Sequence, residues 1–124
     1  MLDLMSVTIA EAAEVSGVSA HTLRYYERAG LIGDVNRAAS GHRRYGDHDL
    51  AWIHTIQCLR ATGMPIRDIR RYAALTRSSE GNWEARLALL EQHRAAVQAQ
   101  LDEVRGHLAF IDRKITTYKD RING

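Results

Sequence analysis

The stretch TIAEAAEVSGVSAHTLRYYERAGLI, Thr8 to Ile32, decides how the chain is read. Thr8 can cap a helix whose third residue is Glu11, and Gly17 ends it, so Thr8–Gly17 reads as a short capped helix. Ser19 caps a second helix that runs to Gly30. Two short helices joined by a tight glycine-containing turn predict a helix-turn-helix.

On the second helix, neighbours point about 100° apart, so the adjacent Tyr25 and Tyr26 cannot share a face. Tyr26 and Ser19 fall on the side of Leu23, which is the expected inner side. His21, Arg24, Tyr25 and Arg28 fall on the opposite stripe, a surface suited to reading a DNA groove. Tyr26 is therefore expected to anchor the helix, with its hydroxyl left to reach a phosphate, and Tyr25 to make contacts. A solvated charged face would show the same stripe, and the helix alone does not separate the two.

The segment GDVNRAASGHRRYG, Gly33–Gly46, is polar and punctuated by glycine, as in a hairpin or wing-like loop. Its Arg37, His42, Arg43 and Arg44 would sit beside the reading helix and hold flanking phosphates. Helix returns over Asp47–Gly63 and restarts after Pro65, and Arg60 and Arg67 bracket the turn between them. Basic groups on three successive turns read as a DNA footprint. Arginine is abundant throughout, and Lys114 and Lys119 are the only lysines. Arginine suits bidentate phosphate or guanine recognition, but a GC-rich genome raises the same count.

From Trp83 the spacing becomes regular. Trp83, Leu87, Leu90, Arg94, Val97, Leu101, Val104, Leu108, Ile111, Ile115, Tyr118 and Ile122 alternate steps of four and three, and only Arg94 breaks the apolar series. This heptad seam would extend roughly 60 Å, too far to be covered by one small domain. It predicts a two-chain coiled coil and hence a homodimer, with the helix direction left open by spacing. A winged head over residues 6–77 and a coiled coil over 82–122 follow as the domain division.

The 124 residues are 45% hydrophobic and 26% charged with a net charge of +2, ordinary for a soluble protein. No apolar run suits a membrane span and the N-terminus lacks a basic leader, so a cytoplasmic, nucleoid-associated protein is expected. No catalytic constellation, phosphate-cradling glycine loop or cofactor domain stands out, which points away from an enzyme and from any cofactor. The single cysteine, Cys58, excludes an internal disulfide. The six histidines form no close ligand set, so no metal site is expected.

The series Thr8–Ile32, then NRAASGHRRY (Asn36–Tyr45), then LAWIHTIQCLRATGMPIRDI (Leu50–Ile69) and the terminal seam closely resemble the MerR-type transcription regulators over essentially the whole chain. The resemblance implies a mainly α fold: a winged helix-turn-helix with a long C-terminal helix that dimerises as an antiparallel coiled coil. It implies double-stranded promoter DNA as partner, bound at a palindromic element that is distorted for RNA polymerase. It places His21, Arg24, Tyr25 and Tyr26 on the recognition helix, Arg37 and Arg43 in the wing, and Arg60 in a second wing. Arg44 and Arg67 are added from charge and position. Metal-responsive relatives carry cysteines around the long helix that this chain lacks, and multidrug-sensing relatives carry a ligand domain after the coil, where this chain ends.

Cys58 lies on a stripe of small side chains with Ala51, Thr55 and Thr62, and such a cysteine is ordinarily a small, inert residue. His54, one helical turn before it, would stabilise a thiolate when protonated. The placement of Cys58 is similar to the aldehyde- and nitrosothiol-responsive subgroup, which implies a sensing role. A ligand-independent repressor or architectural factor, and a coiled-coil adaptor with a basic head, remain the alternatives.

Overall fold

The computed structural model describes residues 6–33, 41, 44–78 and 81–124. Their order is β1 (Val7–Thr8), α1 (Ile9–Ser16), α2 (Ala20–Arg28), β2 (Arg44–Tyr45), α3 (Asp47–Ala61), α4 (Ile66–Arg77) and α5 (Trp83–Asn123). The fold is mainly α, a winged helix-turn-helix followed by one long helix. Two compact units divide between Arg86 and Leu87.

The helix ends follow the local chemistry. The Thr8 hydroxyl accepts from the Glu11 N–H at 3.2 Å while the Glu11 carboxylate accepts from the Thr8 N–H at 3.2 Å, a capping box that starts α1. Ser19 caps α2 by accepting from the Thr22 N–H at 3.1 Å. Asp49 reaches back to accept from the Gly46 N–H at 2.9 Å and starts α3.

Helices α2 and α3 finish alike. The N–H of Leu31 bonds the Tyr26 carbonyl and that of Met64 bonds the Leu59 carbonyl, each at 2.9 Å. Gly30 and Gly63 supply the left-handed residue these endings need, at φ 76° and 90°. Leu31 and Met64 then drop into the core, so each stop also sets the direction of the chain beyond it.

Strand β1 pairs antiparallel with β2, Val7 opposite Tyr45 and Thr8 opposite Arg44. Thr8 thus ends a strand and caps a helix at once, tying the wing's base to α1. The core collects Ala12, Leu23, Tyr26, Leu31, Tyr45, Ile53, Ile56 and Ile69, so all of α1 to α4 contribute. Along α5 the seam side chains from Leu101 to Ile122 are 41% to 81% exposed.

Candidate nucleic-acid interface

Burial divides α2 as its periodicity requires. Leu23 and Tyr26 are 0% and 3% exposed, while His21, Arg24, Tyr25 and Arg28 face solvent. The two tyrosine rings stand 54° apart with centroids 6.2 Å from each other. Tyr26 is the anchoring ring and Tyr25 the outward one. The Tyr26 hydroxyl accepts from Arg60 Nη1 at 3.4 Å, which leaves its own proton to donate, and the guanidinium carbon lies 5.7 Å from the ring centroid. Arg60 therefore belongs to the same surface as α2, although 34 residues separate it from Tyr26.

Between these elements lies an open cleft of about 520 Å³ lined by Gly17, Val18, Ser19, Thr22, Tyr26, Gln57, Arg60 and Ala61. It combines the N-terminal turn of α2, the hydroxyls of Ser19, Thr22 and Tyr26 and a guanidinium, a set of hydrogen-bond donors suited to a backbone phosphate.

Several of the other arginines are engaged with backbone carbonyls. Arg67 is exposed on the first turn of α4. Arg44 is half-buried; its Nε donates to Ser6 Oγ at 3.2 Å and its Nη2 to the Ser6 carbonyl at 2.6 Å. Arg70 Nε donates to the Ala29 carbonyl at 2.8 Å, and Arg77 Nη2 to the Gly30 carbonyl at 3.2 Å. Those carbonyls follow the last turn of α2, where partial negative charge collects, so Arg70 and Arg77 secure the end of the recognition helix. Arg37, His42 and Arg43 lie outside the described residues.

Helix α3 holds the ends of the two preceding helical segments from behind, as a clamp, with two side chains that sequence reasoning missed as determinants of the site. Gln57 Nε2 donates to the Ser16 carbonyl at the end of α1, at 2.8 Å. Trp52 Nε1 donates to the Leu31 carbonyl at 2.7 Å, and its indole stacks on Tyr72 at 5.7 Å and 24°. No local signal in the sequence marks either residue, because each acts on a partner far along the chain.

The acidic Glu11 lies in the first turn of α1. Hydrogen bonds from the Thr8 backbone and then from its hydroxyl, with a smaller contribution from Arg44, hold its carboxyl below the ordinary value of 4.5. Cys58 is exposed on α3, as is His54. The Cys58 carbonyl accepts from the Thr62 hydroxyl at 2.7 Å. Among the described residues no cluster of three or more His, Cys, Asp or Glu side chains could hold a metal ion. Among them, too, no helix is long and apolar enough to cross a membrane.

Comparison with known proteins agrees with this frame. The family model for the MerR HTH family regulatory protein matches residues 7–75, and the model for MerR, DNA binding, matches residues 50–109. An uncharacterized HTH-type transcriptional regulator of Haemophilus influenzae is 40% identical over 115 residues, spanning 93% of this chain and 85% of that one. The HTH-type transcriptional regulator AdhR of Bacillus subtilis is 41% identical over 88 residues, spanning 71% of this chain and 63% of AdhR. Among solved structures, HiNmlR, a MerR family regulator lacking the sensor domain and bound to promoter DNA, superposes with a TM-score of 0.84 at 40% identity. That match covers 94% of this chain and 92% of HiNmlR. The protein belongs to the MerR family of DNA-binding transcription regulators, and is not an enzyme.

Proposed function

We propose that the protein binds a palindromic promoter element as a homodimer, distorts the DNA between the half-sites, and changes transcription when Cys58 reacts with an electrophile. The observation that carries the DNA part is the division of α2: His21, Arg24 and Tyr25 outward, Leu23 and Tyr26 buried, with Arg60 beside them. The similarity to HiNmlR, solved on promoter DNA, supports the same reading.

In this account residues 6–77 form the DNA-binding head and residues 82–122 the dimerisation helix. His21, Arg24 and Tyr25 face the groove; Arg60 and Arg67 lie against phosphates, as do Arg37 and Arg43 of the wing. Tyr26 and Arg44 act by holding the frame. RNA polymerase is the partner that would read the distorted promoter, in the cytoplasm at the nucleoid.

The exposure of Cys58 supports the sensing role, since modification needs an accessible sulfur. The similarity to AdhR is consistent with the subgroup the sequence resembles. An adduct on an exposed face of α3 would shift how the head seats against its neighbours, a two-state change that the DNA can register. A promoter-reporter assay with aldehydes and nitrosothiols tests this. Cys58→Ser should abolish induction and leave operator affinity unchanged; induction equal to wild type would assign the response elsewhere or favour a regulator without a ligand.

A further inference from the structure

We propose that Arg94, the single charge in the α5 seam, sets both the direction and the register of the dimer by pairing with the partner's Asp112. The inference rests on the homodimer reading above and specifies its contact surface.

The seam from Trp83 to Ile122 is apolar except at Arg94. Among the described residues neither the Arg94 guanidinium nor the Asp112 carboxylate has an ionic partner in its own chain. The exposure of the seam from Leu101 onward asks for a long, complementary apolar surface, which a second copy of α5 supplies. In a parallel, in-register pair, Arg94 would face the partner's Arg94 within the core, two like charges with no acid between them.

An antiparallel pair behaves differently. Only one alignment covers all twelve seam positions on both chains. It sets Trp83 against the partner's Ile122 and Leu101 against the partner's Val104. Arg94 then lies level with the partner's Ile111. Asp112 follows by one residue, about 1.5 Å along the axis.

The side matters as much as the level. Asp112 lies about 40° around the helix from the row containing Arg94, Leu101 and Leu108. A two-fold axis perpendicular to the helices brings these matching edges of the two chains together, so the partner's Asp112 meets Arg94. Glu91, three residues before Arg94, lies on the same edge. Without Arg94, Glu91 and the partner's Asp112 would confront each other as like charges. On this edge Glu84 also falls level with the partner's Lys119, a second complementary pair.

The test uses the full chain and its dimer dissociation constant from sedimentation equilibrium. Arg94→Asp alone and Asp112→Arg alone should each weaken the dimer at least tenfold, roughly the loss expected when one member of a desolvated charge pair is reversed. The combined Arg94→Asp/Asp112→Arg chain should recover to within about threefold of wild type, as expected of charges that act as a pair. A second measurement reads direction without the charges. In a Cys58→Ser background, an equal mixture of Val97→Cys and Leu108→Cys chains should oxidise to covalent heterodimers. Homodimeric cross-links, or a double exchange as weak as the two single changes combined, would overturn the pairing while leaving a dimer. A wild-type chain that stays monomeric at micromolar concentration would overturn the homodimer reading itself.

Discussion

Trp52→Phe tests whether the recognition helix is held from behind by α3. Its indole N–H meets the Leu31 carbonyl at 2.7 Å, directly after the α2 ending, and Leu31 is itself fully buried. Phenylalanine keeps most of the stacking on Tyr72 but cannot donate. The missing hydrogen bond costs about 1 kcal/mol, and the carbonyl left half-satisfied raises that toward 2 kcal/mol. Removing part of the indole adds a few tenths at this half-buried site. The expected total is about 2 kcal/mol, or roughly 8–16 °C in the melting temperature of a domain this size. Circular dichroism at one fixed subunit concentration holds the dimer mass-action contribution equal for the two chains compared. Arg70 bonds the neighbouring Ala29 carbonyl, so Arg70→Ala combined with Trp52→Phe should be non-additive by at least about 0.5 kcal/mol. A loss below about 0.5 kcal/mol for Trp52→Phe, or strict additivity with Arg70→Ala, would refute this clamp.

Other consequences are more direct. Glu11→Gln keeps the capping geometry and removes the charge. The Glu11 carboxyl is held below 4.5, so its contribution is fully present above the unfolded value and is lost as pH falls through the lower folded one. Wild type should therefore exceed the variant in stability at neutral pH and converge with it in acid; a gap constant with pH would reject this. Arg24→Ala and Arg60→Ala test whether these guanidiniums bind phosphate, through the salt dependence of operator binding. Removing one phosphate-binding guanidinium from each subunit should lower the slope of log K by roughly 0.9 per subunit, about 1.8 for the dimer. If Arg24 reads a base instead, its variant should relax sequence preference with little change of slope.

How much of the molecule is legible in its sequence depends on the range of the interaction. The Thr8–Glu11 box, the Ser19 cap and the stops at Gly30 and Gly63 involve residues within a few positions of each other, and simple pattern reading locates them. The seam is legible because a heptad period survives without knowledge of the fold. The opposed faces of α2 are equally visible, since one turn of helix fixes which neighbours share a side. The clamp is not: Gln57 bonds Ser16 and Arg77 bonds Gly30 across 41 and 47 residues, and nothing in a local window marks either pair. Charge alone also misjudges function. Arg70 and Arg77 look like further members of a basic patch, yet they bind backbone carbonyls. The Arg60–Tyr26 contact is hidden for the same reason, because α3 returns Arg60 to a ring 34 residues earlier in the chain. The candidate wing residues Arg37 and Arg43 lie outside the described residues, so their place in the interface rests on their motif.

The central claim, that two copies of this chain hold one two-fold-symmetric DNA site, is tested most directly by footprinting the intergenic DNA beside its own gene together with the binding stoichiometry. The account predicts a protected palindrome, two subunits per site, and altered cleavage between the half-sites where the duplex is distorted. An absence of protection at low salt, or a single subunit saturating the site, would contradict it.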